Sequence, residues 1–200
     1  MTEKKSFPKR LDPRGWLEFS SPLTLGYALF ALLVLILSLL TGGGSARALF
    51  SVYRAPMGDF LFYPRLFLHV LGHTDFGHYV TNMSLLLVLG PLVEQHYGRG
   101  RFLLMIAVTA LVSGIFHILL SPGTALLGAS GVVFMLIILA AASGRAKGKV
   151  PLTLLLVAVF YLGRELYSGI FIRDNISRLS HVAGGLCGIA FGLKFRREKT

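Results

Sequence analysis

The sequence predicts an all-α, polytopic membrane protein with six transmembrane helices, both termini cytoplasmic, and a long first outer loop lying in the membrane interface. Three observations predict this fold class. Hydrophobic residues make up 54% of the 200-residue chain and charged residues only 14%, against about 25% charged in ordinary soluble domains. The apolar residues are gathered into long blocks. Lysine and arginine fall unevenly between those blocks, as orientation in a membrane requires.

The first block is Pro22–Leu40. The residues before it include Asp12, Pro13 and Trp16, which do not resemble a cleavable leader, so the block reads as a retained span. Five further blocks follow, at Gly77–Val93, Phe102–Leu120, Ser130–Ser143, Val150–Gly163 and Leu179–Leu193. With a cytoplasmic N-terminus, the inner side carries Lys4, Lys5, Lys9, Arg10, Arg14, Arg99, Arg101, Arg145, Lys147, Lys149, Lys194, Arg196, Arg197 and Lys199. The outer side carries Arg47, Arg54, Arg65, Arg164, Arg173 and Arg178, so the split is fourteen to six. This distribution accounts for the net charge of +11 as a topology signal, aided by anionic lipid, and leaves no reason to expect nucleic acid. Residues 1–20 are expected to form a short basic cytoplasmic segment, 21–195 the six-helix membrane domain, and 196–200 a basic cytoplasmic tail.

The first outer loop, Thr41–Phe76, contains Phe50, Tyr53, Phe60, Phe62, Tyr63 and Phe67, too aromatic for a solvated tether and suited to the interface. Tyr161–Arg178 is the other substantial outer segment, with Asp174 and Asn175 placed to begin the last helix. Cys187 lies alone in an apolar run and reads as a packing residue.

Four polar residues inside these blocks share one depth. Counted at a rise of 1.5 Å per residue, His78 and Asn82 lie roughly 24 and 18 Å above the cytoplasmic marker Glu94. Ser130 lies roughly 22 Å above Arg145, and His181 roughly 20 Å above Lys194, on the same count. The fourth block would be only about 21 Å long, too short for a ~30 Å hydrocarbon core. Its outer end must therefore be recessed, with Ser121–Ala129 entering as non-helical backbone, which membranes tolerate only inside protein or along a water-filled cavity. Ser130 is expected at the floor of such a cavity. Taken alone, a membrane serine usually bonds back to its own helix, but Gly128 and Gly131 beside it permit close backbone approach. His181 is an ionisable group within a span, which marks function by default. His78 and Asn82, four apart on one helix face, fit either an interhelical hydrogen bond or a site. His73 is expected to brace the loop, while His69, His96 and His117 read as boundary residues without a role. Ser180, Gly184, Gly188 and Gly192 form a stripe of small residues that lets the last helix approach the Ser130 helix closely.

With these residues in place, the sequence resembles the rhomboid family of intramembrane serine proteases. "HTDFGHYVTN" is similar to the family's second-helix pattern of His, four residues, His, three residues, Asn. "GASG" is similar to its Gly-x-Ser-Gly motif, and "HVAGGLCG" to its His-x-x-Gly-x-x-x-Gly. The resemblance implies that Ser130 is the nucleophile and His181 the general base of a dyad. His78, Asn82 and the backbone around Gly128–Ser130 would then stabilise the oxyanion, while His73, Arg65, Glu94, Phe134, Gly184 and Gly188 support the site. It implies no cofactor and no metal; the partners would be transmembrane protein substrates and the lipid bilayer, with the oligomeric state left open. A multi-pass protein of the bacterial inner membrane is the expected setting. Two positions depart from the pattern: Phe134 stands where active members often carry Tyr, and Pro64 replaces the Trp that commonly precedes the loop arginine. Two rivals stand beside this reading. A catalytically silent rhomboid-like chaperone or adaptor would not need both Ser130 and His181. A metal-dependent protease or transporter using His73, Asp75, His78 and His181 lacks an HExxH pattern.

Overall fold

A computed structural model describes residues 21–143, the scattered positions 152, 155, 156, 159 and 160, and residues 176–195. The expected basic N-terminal segment, the tail 196–200, the second outer segment as far as residue 175 and most of the fifth block lie outside the described residues. What is described is helical: α1 (Pro22–Leu40), α2 (Gly44–Leu49), α3 (Phe62–Leu68) running into a 3-10 turn at His69–Leu71, α4 (Phe76–Tyr97), α5 (Arg99–Leu120), α6 (Ser130–Ser143) and α7 (Ile176–Lys194). Blocks one and four match their helices end to end, and α4 runs one turn beyond the predicted Val93. The outer loop was not expected to contain α2 and α3, because neither six- nor seven-residue helix carries a long apolar period. Pro64 falls in the first turn of α3, where its missing N–H is not required.

Among the described residues three helices, α1, α4 and α5, are long and apolar enough to cross a membrane. The distribution of polarity is that of a protein in lipid. On α1, Thr24, Tyr27, Ala28, Ala31, Val34, Leu35 and Ser38 are buried at helical spacing, while Leu29, Leu33, Leu37 and Leu40 on the opposite side are exposed. On α7, His181, Ala183 and Cys187 are buried and Val182, Leu186, Ile189 and Leu193 are exposed. Cys187 is therefore a packing residue, as expected.

α6 is the centre. From Val132 to Ile137 every side chain is buried, with Leu139 and Ala140 continuing the pattern, so the helix is apolar on all sides because protein surrounds it. It packs chiefly against α7, with α4 and α5 on its other sides. The glycines make that closeness possible: a Cβ at Gly184 would fall on the Gly131 carbonyl oxygen, and one at Gly188 would sit 2.8 Å from Ile138 Cβ.

Glu94 ties α4 to α1. Its carboxylate, 3% exposed, accepts from the backbone N–H groups of Leu23 (3.1 Å) and Thr24 (2.9 Å) and from the Thr24 hydroxyl (2.8 Å). It thus satisfies the open N–H groups at the start of α1 from another helix. Arg99 Nε lies 3.5 Å away and adds an ion pair.

Candidate active site

The site is built where the start of α6 meets α4 and α7. The backbone from Ser121 to Ala129 is non-helical, as the short fourth block required. Two histidines pin it. His69 accepts the Gly128 N–H on its carbonyl oxygen at 2.9 Å, and His117 Nε2 meets the Thr124 carbonyl oxygen at 3.0 Å. Both rings are 1% exposed, so the expectation that His69 and His117 are mere boundary residues is corrected. Each stands at a helix end in the sequence, and only the fold turns it inward. His96, by contrast, is exposed. Antiparallel hydrogen bonds between Val52 and Leu126 (2.8 and 2.9 Å) stitch the same backbone to the outer loop.

Gly128 has φ of +134°, which L side chains rarely adopt, and a Cβ there would lie 2.8 Å from His78 Cε1 and 2.9 Å from its Nε2. Its N–H is held by His69, so the contribution of Gly128 is room for the His78 ring rather than an N–H for a ligand.

His78 is oriented by α4's own N-cap. Asp75 Oδ1 accepts the His78 N–H at 2.9 Å, and its Oδ2 takes the Thr74 hydroxyl proton at 2.8 Å. These bonds hold the Asp75 carboxyl below its usual range. Thr74 Oγ1 also lies 3.1 Å from His78 Nδ1. Asn82, one turn on and 1% exposed, donates from Nδ2 to the His78 carbonyl oxygen at 3.2 Å. His73 sits edge-on to His78 (centroids 5.1 Å) and Tyr79 (5.5 Å). Burial, helped by the neighbouring His78, pushes its pKa down to about 4, so it braces this wall as a neutral ring.

Ser130 and His181 stand on α6 and α7, which pack against each other. The His181 ring stacks on Phe134, with centroids 4.3 Å apart and planes 13° from parallel. Phe134 is one turn after Ser130, so the missing tyrosine hydroxyl does not prevent the stack. The Ser130 hydroxyl pairs with Ser180 Oγ at 3.3 Å, the residue preceding His181. Ser130 and His181 are 8% and 6% exposed.

A cavity of about 590 Å³ opens beside the site, between α2, the outer loop and residues 122–125. It reaches Thr74 and Leu127, but Ser130 does not line it, unlike the open floor expected from the sequence. His78, packed against Gly128, does not line it either. Farther out, Arg65 is 5% exposed: its Nε donates to the Ala48 carbonyl oxygen at 2.8 Å, its Nη1 pairs with Asp59 at 2.6 Å, and its guanidinium lies over Tyr53. This fixes α3 to α2, the structural part expected of it. Among the described residues no group of histidine, cysteine and acidic side chains is arranged to hold a metal.

Comparison with known proteins matches the chain to one family. The Rhomboid domain family matches residues 62–198, more than half of the chain. A Bacillus subtilis (strain 168) protein described as "putative rhomboid protease YdcA" is 29% identical over 133 residues, covering 62% of this chain. The chain thus spans 62% of the length of that relative.

Proposed function

Since the chain belongs to the rhomboid family and is an integral, multi-pass membrane protein, we propose that it is an intramembrane serine endopeptidase. It cleaves single-span membrane proteins within or near the outer part of their transmembrane segment by a Ser130–His181 dyad. One observation carries the reading: across the glycine-packed contact of α6 and α7, His181 stacks on Phe134, one turn from Ser130, while Ser130 pairs with Ser180, the neighbour of His181.

In this reading a χ1 rotation takes the Ser130 hydroxyl from Ser180 to His181; catalytic hydrogen bonds often tighten only once substrate is bound. Neutral His181 removes the hydroxyl proton as Oγ attacks the peptide carbonyl carbon. The alkoxide that forms is met by the Ser130 N–H at the helix start, Asn82 and His78. His181 then gives its proton to the leaving amine. Water reaches the acyl-enzyme from the outer cavity, and the dyad repeats the transfer to release the acid. No metal or cofactor takes part.

The proposed setting is the bacterial inner membrane, with six spans over residues 21–195, a basic cytoplasmic segment before them and a basic cytoplasmic tail after them. The test is labelling with a fluorophosphonate probe and cleavage of a single-span substrate in liposomes, wild type beside Ser130→Ala. Both signals should vanish in the variant. Cleavage at the wild-type rate by folded Ser130→Ala protein would overturn the assignment.

A further inference from the structure

Two arginines line the cavity described above: Arg47 on α2, and Arg54 just after the Val52–Leu126 bridge. Both are exposed, and among the described residues neither has an ion-pair partner. The acidic groups nearest in sequence are already engaged. Asp59 holds Arg65, and Asp75 caps α4 while taking the Thr74 hydroxyl proton. Among the described residues nothing pairs with the two positive charges of this concave site, and Tyr53 and Thr74 add further polar groups. Its inner wall touches the reaction centre, because Thr74 hydrogen-bonds His78 and Leu127 directly precedes Gly128.

We propose that this cavity is a substrate subsite for an acidic side chain, with Arg47 and Arg54 holding the carboxylate of an aspartate or glutamate on the outer flank of the substrate's span. This rests on the protease reading. Guanidinium groups pair carboxylates through charge-assisted, often bidentate hydrogen bonds, and such complementarity fixes register as well as attraction. An unwound substrate advances about 3.3–3.6 Å per residue. The cavity, which meets His78 through Thr74 and Gly128 through Leu127, therefore takes an acidic residue at one of the first few positions beside the scissile bond.

The experiment uses full-length protein in phosphatidylcholine liposomes and a single-span substrate carrying Asp, Asn or Lys at each of those positions in turn. At one position, wild type should favour Asp over Asn about tenfold in kcat/KM, chiefly through KM, and disfavour Lys. The doubly reversed Arg47→Glu, Arg54→Glu protein should lose the Asp preference and gain one for Lys, a gain that a misfolded protein does not show. Binding to the non-cleaving Ser130→Ala protein, read by fluorescence anisotropy of labelled substrate, should follow the same order. Asp-dependent binding without cleavage in wild type would retain the subsite and discard the protease. Equal KM across Asp, Asn and Lys, or an Asp preference that survives charge reversal, would discard the subsite and leave the protease. A preference that appears only with anionic lipid would assign the arginines to headgroup phosphate and likewise overturn the proposal.

Discussion

Ser130 and His181 act as a unit in the proposed chemistry, so their losses should not add. Ser130→Ala should abolish cleavage and probe labelling, and His181→Ala should come close to it, because a hydroxyl without its base is a poor nucleophile. His78→Ala and Asn82→Ala should each lose at most the ~10²–10³-fold of a single oxyanion donor. Kinetics on protein matched for folded yield would reveal any departure from that order. Gly128→Ala combines a strained φ with a Cβ 2.8 Å from His78, and should lower activity although it touches neither member of the dyad. Wild-type activity in that variant would mean that the His78 ring can move away at no cost.

At the scale of the elements, two contacts lend themselves to measurement. Glu94→Ala would leave the Leu23 and Thr24 N–H groups without their acceptor, at about 1–3 kcal/mol for buried donors. Thermal unfolding in detergent should show a lower midpoint, with Glu94→Gln milder because one side-chain oxygen can still accept. An unchanged midpoint in Glu94→Ala would show that water replaces the cap. The α3 tie is set by charge. The hydrogen bond from Arg65, then that from the Leu61 N–H, holds the Asp59 carboxyl below 3.8. A depressed folded-state pKa gives stability that is present above 3.8 and lost as pH falls through the lower folded value. The outer loop should therefore be equally protected from protease at pH 5 and pH 7, and lose protection below pH 4. Asp59→Asn should abolish that step; a step of equal size in the variant would assign it to another group.

For the whole molecule, the fourteen-to-six division of basic residues predicts orientation. Reporter fusions after Gly148 and Thr200 should report cytoplasm, and those within Thr41–Asp59 the outside. An outside C-terminus would remove the shared depth of Ser130, His181, His78 and Asn82. The recessed, mostly buried site also bears on substrates. A peptide bond in an intact helix is shielded by its own hydrogen bonds, so a substrate must unwind before it reaches Ser130. Gly or Pro near the outer end of the span should speed cleavage and Leu should slow it. Equal rates across such a series would count against a site that admits only unwound chain.

What could be read from the sequence was whatever depends on local periodicity and motif spacing. α1 and α6 were delimited to the residue, because their apolar runs are bounded by turn residues. The non-helical stretch before Ser130 followed from length alone, and α4 and α7, which carry two of the motifs, both pack on α6, which carries the third. The residues that shape the site were hidden because their roles depend on contacts between distant segments. His69 and His117 look like helix ends in the sequence, yet the fold buries both to hold residues 121–129. Glu94 stands in the sequence as a cytoplasmic marker and a supporting residue; that it caps α1, some seventy residues away, required the packed bundle. α2 and α3 are too short for their own periodicity to reveal them, and are fixed by Arg65 reaching Ala48 and Asp59. Local pattern thus determined the helices and the candidate dyad. Tertiary structure decided which polar groups face one another, because a hydrogen bond between segments leaves no period in the chain.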